Sequence, residues 1–358
     1  MDEQVARPPA DLARLLHDFV CVRVTNMRDV DLSRYVFDYD LTFAILLMNA
    51  DGTTYHRYGG RDHKDPMGWM SLPSLTRVMR MTLVEHALYQ AKPAPPKLPP
   101  SRTIMDVEPF KERTKGKKID CVHCHSLQPA LREEAKKNGK WQPRDIWIYP
   151  TPEQIGIELV AAEQNRIRSV FPTSPAAVAE LRAGDQLLRI GSVPIASYSD
   201  VQMALHRAPH AATELVVEIK RRNARQTVKL VLSKDWKIGS PLTFSWRPSK
   251  WDLQPSPGFG GKAVSEDVRK RLSIAAGDFA FEVGYLVTWG HLKRRGLAAR
   301  EAGLRKGDVV VAVAGKRDFT THDHFHAWFR LTRKVGETVP IEVVRGNERV
   351  TLQLSVIE

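Results

Sequence analysis

The chain has 358 residues, a net charge of +13, 42% hydrophobic and 27% charged residues, proportions of a globular protein long enough to bury two or three cores. No apolar run reaches the roughly eighteen residues of a membrane-spanning helix, and Met1-Asp2-Glu3-Gln4 lacks the basic-then-apolar layout of a signal peptide. The basic clusters Lys111–Lys118, Lys220–Arg225, Lys293–Arg300 and Arg330–Lys334 are dispersed and not interleaved with aromatics, which reads as a solvated surface and argues against a specific nucleic-acid partner.

Phe19 to Thr25 alternates, with Val20, Val22 and Val24 on one face, and predicts a strand; Cys21 within it reads as a small buried thiol. Asp31–Phe37 predicts a short helix, and the apolar run Thr42–Met48 a strand buried on both faces. Asn49-Ala50-Asp51-Gly52 supplies a hairpin turn into Thr53–Tyr58. After Gly59-Gly60, the spacing of Leu75, Val78, Met79, Leu83 and Leu88 predicts a helix within Pro73–Gln90.

This order of elements resembles the C-terminal half of a thioredoxin over about residues 12 to 91 and implies an incomplete thioredoxin-like domain at 1–91. The segment Asp38-Tyr39-Asp40-Leu41-Thr42 lacks the proline that precedes the central strand of that fold. The strand and helix bearing its active C-x-x-C would lie upstream of Met1. A start placed too late would explain both this half-domain and the missing signal peptide, so a periplasmic or otherwise extracytoplasmic location is expected.

A proline-rich stretch at 92–101 predicts an extended spacer. The segment 102–150 then carries Cys121-Val122-His123-Cys124-His125. C-x-x-C-H is the attachment pattern of haem c, in which Cys121 and Cys124 add to the vinyl groups and His125 ligates the iron; Met105 is the candidate sixth ligand. The same residues suit a reversible thiol pair, with His123 and His125 lowering a thiol pKa. Zinc lacks a second ligand pair, and two structural cysteines beside surface histidines are the plainest alternative. A helix is predicted over Leu127–Asn138.

The remainder contains a duplication. Leu181-Arg182-Ala183-Gly184-Asp185 recurs 123 residues later as Leu304-Arg305-Lys306-Gly307-Asp308, and the same offset relates Ile190 to Val313, Asp200 to Asp323 and Ala204 to Ala327. Each copy reads as a glycine-aspartate turn, an apolar strand, a small-residue turn, a helix and two strands. Ser174-Pro175-Ala176-Ala177 and Gly191-Ser192 in the first copy, with Ala302-Gly303-Leu304 and Ala314-Gly315 in the second, resemble PDZ domains of bacterial HtrA proteases. The resemblance implies PDZ-like domains at 151–235 and 264–358, separated by a Trp/Pro/Gly-rich linker at 236–263.

It also implies that the first domain binds protein C-termini or extended peptides as an added strand. Gln154-Ile155-Gly156-Ile157 would form the carboxylate loop, Ile157 and Leu159 the strand and pocket, and Val201 and Leu205 the facing helix. Core packing is the alternative role for Ile157 and Leu205. In the second copy the corresponding place falls to Leu272-Ser273-Ile274, which lacks the glycine. His322, His324 and His326 read as a solvated cluster. Without a G-x-S-x-G, serine-protease chemistry is not expected, and no catalytic residue is assigned.

These segments predict an α/β plus mainly-β chain: an incomplete thioredoxin-like domain, a short CxxCH segment and two PDZ-like domains. Phe37-Asp38-Tyr39-Asp40-Leu41-Thr42, Asn49–Gly52 and Cys121–His125 resemble a bacterial family of exported thioredoxin/PDZ proteins, some with selenocysteine. The resemblance implies a redox-associated adaptor outside the cytoplasm. The alternatives are a non-catalytic PDZ interaction protein with a degenerate thioredoxin half, or a thiol-disulfide oxidoreductase whose catalytic helix lies upstream of Met1.

Overall fold

Residues 8–89 and 100–358 are described by the computed structural model, which divides into a first unit, Met1–Gly239, and a second, Ser240–Glu358. Most of the predicted spacer at 92–101 lies outside the described residues. Among those residues no helix is long and apolar enough to cross a membrane.

The first unit opens with helix α1, Ala10–Leu16, which buries Leu12. The predicted strand over Phe19–Thr25 does not form: Val20, Val22 and Val24 are 95%, 80% and 54% exposed, and Cys21 is exposed rather than buried. Alternation becomes a strand only where a neighbouring strand takes its hydrogen bonds and a core takes its apolar face, and this segment meets neither. Asp31–Phe37 is a run of turns instead of a helix. The Asp31 carboxylate accepts from the backbone and hydroxyl of Ser33 at 2.9 and 2.6 Å, a local bond that competes with helix.

Strands β1, Ile45–Met48, and β2, Thr54–Tyr58, form the predicted hairpin, antiparallel, with Gly52 at φ 91° in its turn, but β1 starts at Ile45 instead of Thr42 and buries only Leu47, so it is not covered on both faces. Helix α2, Leu72–Ala87, follows, with Ser71 capping it and Pro73 in its first turn. It buries Leu75, Val78 and Met79 with Leu12, Leu47 and Tyr58. Of the expected thioredoxin half, this hairpin and one helix are what forms among the described residues. Helices α3, Glu108–Thr114, and α4, Leu127–Lys137, close a second core on Phe37, Tyr39, Ile104, Phe110 and Val122.

The first repeat follows. Strands β3, Ile157–Leu159, and β4, Ile167–Val170, pair antiparallel, followed by the short helix α5, Pro175–Val178. Next come β5, Gln186–Ile190; β6, Val193–Pro194; helix α6, Tyr198–Arg207; β7, Thr213–Arg221; and β8, Ala224–Leu232, in the sheet order β6-β5-β7-β8. A bridge between Arg166 and Gln186 joins the two sheets. Trp236, expected in the linker, packs into this core and donates its indole N–H to the Pro209 carbonyl at 2.8 Å.

The second unit comprises α7, Pro241–Phe244; β9, Phe259–Ala263; α8, Glu266–Arg271; β10, Phe281–Leu286; α9, Lys293–Glu301; β11, Val309–Val313; α10, His322–Thr332; β12, Thr338–Arg345; and β13, Glu348–Ser355. Its strands run β13-β12-β11-β10-β9 around a core in which Phe259, Phe281 and Phe325 stack. Matching β9 to β3, β10 to β4 and α10 to α6 repeats the order of the first copy, with α8 inserted between β9 and β10.

Candidate peptide-binding site

Residues Pro152–Ile155 make a single 3₁₀ turn that ends at Gly156, in the left-handed region at φ 89°. A side chain there would also collide with Ser174, whose hydroxyl caps α5, so the turn requires glycine twice over. The Gly156 carbonyl accepts from the Phe171 amide beyond β4 at 2.8 Å. By the alternation of an antiparallel ladder, Ile157 then turns its own amide and carbonyl toward the opposite edge of β3. Helix α6 begins at a capping box of Ser197 and Asp200.

The sequence-derived residues Ile155, Gly156, Ile157, Leu159, Val201 and Leu205 are brought together here. Their side chains are closed off: Ile155, Ile157, Leu159, Val201 and Leu205 all belong to one buried cluster, which includes Trp69.

Other participants come from far along the chain. The Trp69 ring stacks on Tyr198, the first residue of α6, at 4.0 Å between centroids and 14° between planes. Lys64 lies 3.7 Å from the Glu153 carboxylate and 3.8 Å from that of Glu158. His56 sits between Asp200 at 2.9 Å and Glu85 at 3.0 Å, and the Arg57 amide donates to Asp200 at 2.8 Å. Burial alone would lower the His56 pKa, but the hydrogen bonds and charges of Asp200 and Glu85 together raise it to about 9. No local pattern in the sequence announces contacts between residues more than a hundred positions apart.

In the second unit the Val287 amide donates to the Gly258 carbonyl at 2.8 Å, as Phe171 does to Gly156, and Gly258 has φ 78°. The glycine turn therefore stands at Pro257-Gly258-Phe259, ahead of β9. Leu272-Ser273-Ile274 is not its counterpart, because it follows the inserted helix α8 and the 123-residue offset does not extend across that insertion. The α10 face is covered within its own unit: Lys250 pairs with Asp323 at 3.0 Å, and Trp251 packs on His326 at 4.8 Å and under Arg330 at 5.1 Å. His322 and His326 meet at 2.8 Å between their Nε2 atoms. His324 and His326 are buried, which corrects the expectation of a solvated cluster, and burial with Arg330, His322 and Lys250 nearby holds the His326 pKa well below its ordinary value.

Cys121 is exposed and Cys124 half-buried, both as free thiols. Asn26 holds their segment by donating to the Asp120 carbonyl at 3.2 Å and accepting from the Val122 amide at 3.0 Å. Burial against the second core raises the Cys124 pKa. His125 lies in the 3₁₀ turn Cys124–Ser126 that leads into α4. Met105 lines an open pocket of about 290 Å³ with Arg28, Lys111, Lys115 and Lys117, whereas Cys121, Cys124 and His125 do not line it. Met105 and Cys124 both pack against the second core. Among the described residues, no group of three or more His, Cys, Asp and Glu is arranged to hold a metal ion.

The PDZ domain family matches residues 166–219, from the start of β4 into β7. A solved HtrA-type protease, AlgW with decapeptide, aligns over 40% of this chain and 48% of its own at 15% identity and a TM-score of 0.24. The chain thus spans about half the length of that protease. No curated protein matches the chain. The first unit contains a PDZ domain, a fold whose presence suggests protein–protein interaction.

Proposed function

We propose that the chain is a peptide-binding adaptor whose first PDZ domain takes a protein C-terminus or an extended peptide along the edge of β3. The observation that carries this reading is the strand itself. The Gly156 turn ends in a short strand paired with β4, and by the alternation of the ladder Ile157 directs its backbone groups to the other edge. Strand addition needs such an edge and gains its affinity from main-chain hydrogen bonds. The test is titration of the full chain with a library of octapeptides bearing free C-terminal carboxylates, followed by hydrogen exchange. Protection of residues 155–159, lost in Gly156→Val, is the expected result; no protection at saturating peptide removes the reading.

A second, redox-associated role rests on Cys121 and Cys124. One exposed and one half-buried free thiol in a single held segment suit a pair that passes two electrons and two protons to a partner disulfide as its own disulfide forms. Such a pair would work in an oxidising compartment outside the cytoplasm. Reversible oxidation, lost in Cys121→Ser, is the expected outcome. A covalent haem spectrum after expression with a haem-attachment system would replace the thiol pair by haem c on Cys121, Cys124 and His125.

A further inference from the structure

The chain's own segment Gly60–Trp69 packs against the N-terminal part of α6 and reaches Glu158 of β3 through Lys64. Gly60 lies so close to α6 that a side chain there would meet Tyr198, Ser199 and Gln202. At the other end, Trp69 is 8% exposed and stacks on Tyr198. Between them Asp62 organises the turn. Its carboxylate accepts from the Lys64 amide at 2.8 Å, the Asp65 amide at 3.1 Å and the Trp69 indole N–H at 2.8 Å. That turn carries Lys64 to Glu153 and Glu158, on the 3₁₀ turn and the strand that border the groove. Gln164 fastens the end of the segment, donating to the Trp69 carbonyl at 2.9 Å and accepting from the Tyr198 amide at 3.2 Å.

We propose that Gly60–Trp69 is a built-in occupant of the first PDZ groove, and that an external peptide binds only by displacing it. The proposal rests on the peptide-binding reading above and deepens it, because the occupant displays the chemistry its competitor must offer. Tyr198 receives an aromatic ring, and the paired carboxylates of Glu153 and Glu158 receive a cation. The ligand class is therefore a peptide carrying an aromatic residue together with Lys or Arg. The resident segment holds its place through covalent connection, which gives it a high effective concentration. Its Lys64 contact is partly exposed and weak, so the buried Trp69 stack is the principal hold.

The test uses the full chain and two octapeptide pools with free carboxylates. Each peptide of the first pool contains one Trp and one Lys at varied positions; in the second pool these are Ala and Glu. Trp69→Ala is expected to bind the first pool about tenfold or more tighter than the wild-type chain does, with little binding of the second. In the wild-type chain, saturating peptide is expected to slow exchange at 155–159 and to speed it at 60–69. This second readout needs no variant, and Lys64→Glu, which keeps Trp69 and repels Glu153 and Glu158, replaces Trp69→Ala if that chain does not fold. Equal affinities, with protection at 155–159 and unchanged exchange at 60–69, overturn the built-in occupant and leave the groove reading standing. Preference for the second pool overturns the ligand class. Absence of binding by wild type and variants alike overturns the groove reading and the occupant with it.

Discussion

Asp185 and Arg221 meet in a two-pronged ion pair, with both contacts at 2.7 Å and the Asp185 side chain buried. The same carboxylate accepts from the Arg182 amide at 2.9 Å, while the guanidinium also donates to the Glu180 carbonyl at 2.8 Å. The second copy repeats every part: Asp308 with Arg345 at 2.8 Å twice, the Arg305 amide at 2.9 Å, and the Gly303 carbonyl at 2.7 Å. The recurring glycine-aspartate motif is thus a clamp between a turn and the strand β7 or β12, and its role is structural.

Removing one partner of a buried pair leaves the other charge uncompensated. Asp185→Ala is expected to destabilise the first repeat by about 3 kcal/mol and to speed exchange across 166–232 far more than across 281–355. Asp308→Ala should reverse that pattern. Uniform change in both regions would refute the assignment of one clamp to each copy.

His56 is held protonated by Asp200 and Glu85, with its pKa raised from 6.5 to about 9. A raised folded-state value makes its contribution complete below about pH 6.5, shrinking as pH rises and gone above about 9. The first unit should lose stability on the order of 3 kcal/mol across that window. His56→Gln should flatten the profile between pH 6.5 and 9 while lowering stability at neutral pH, as read by exchange of 45–58 and 198–207.

His326 has the opposite sign. Burial, with Arg330, His322 and Lys250 around it, depresses its folded-state pKa. Its contribution is therefore intact above about 6.5, the ordinary value, and is lost as pH falls below it. Protection factors of 322–332, with the intrinsic exchange rate divided out, should fall between about pH 7 and 5, and His326→Leu should blunt that fall. An acid response unchanged in the variant would place its origin elsewhere.

Gly156 and Gly258 share left-handed backbone and crowding, against Ser174 in one copy and the Arg295 carbonyl in the other. Alanine at either position is expected to cost about 1–3 kcal/mol. Each loss should appear in its own unit by denaturant-dependent hydrogen exchange, and a neutral outcome at Gly258 would undo its equivalence to Gly156.

The thiols should also separate by rate. Cys21 and Cys121 are exposed, while Cys124 is half-buried with its pKa raised by desolvation. Iodoacetamide at mildly alkaline pH should label Cys21 and Cys121 before Cys124, as followed by peptide mass spectrometry.

Much of this fold is legible in the residues because short-range physics governs it. The Asn49–Gly52 turn needs only its own backbone, α2 only Ser71, Pro73 and its apolar spacing, and the repeated Leu-x-x-Gly-Asp only a comparison of the chain with itself. The glycine turn of the second copy escaped that comparison because α8 interrupts the register between β9 and β10.

What the tertiary structure alone decided is where surfaces meet. Val20, Val22 and Val24 have the alternation of a strand but no strand beside them, so they lie in solvent. Ile157, Val201 and Leu205 have the spacing read as a peptide groove, yet they lie buried in one cluster with Trp69, a residue far from them in sequence. Turn geometry and periodicity are properties of neighbours in sequence. Burial depends on which distant side chain reaches a face first, and local sequence carries no record of that choice.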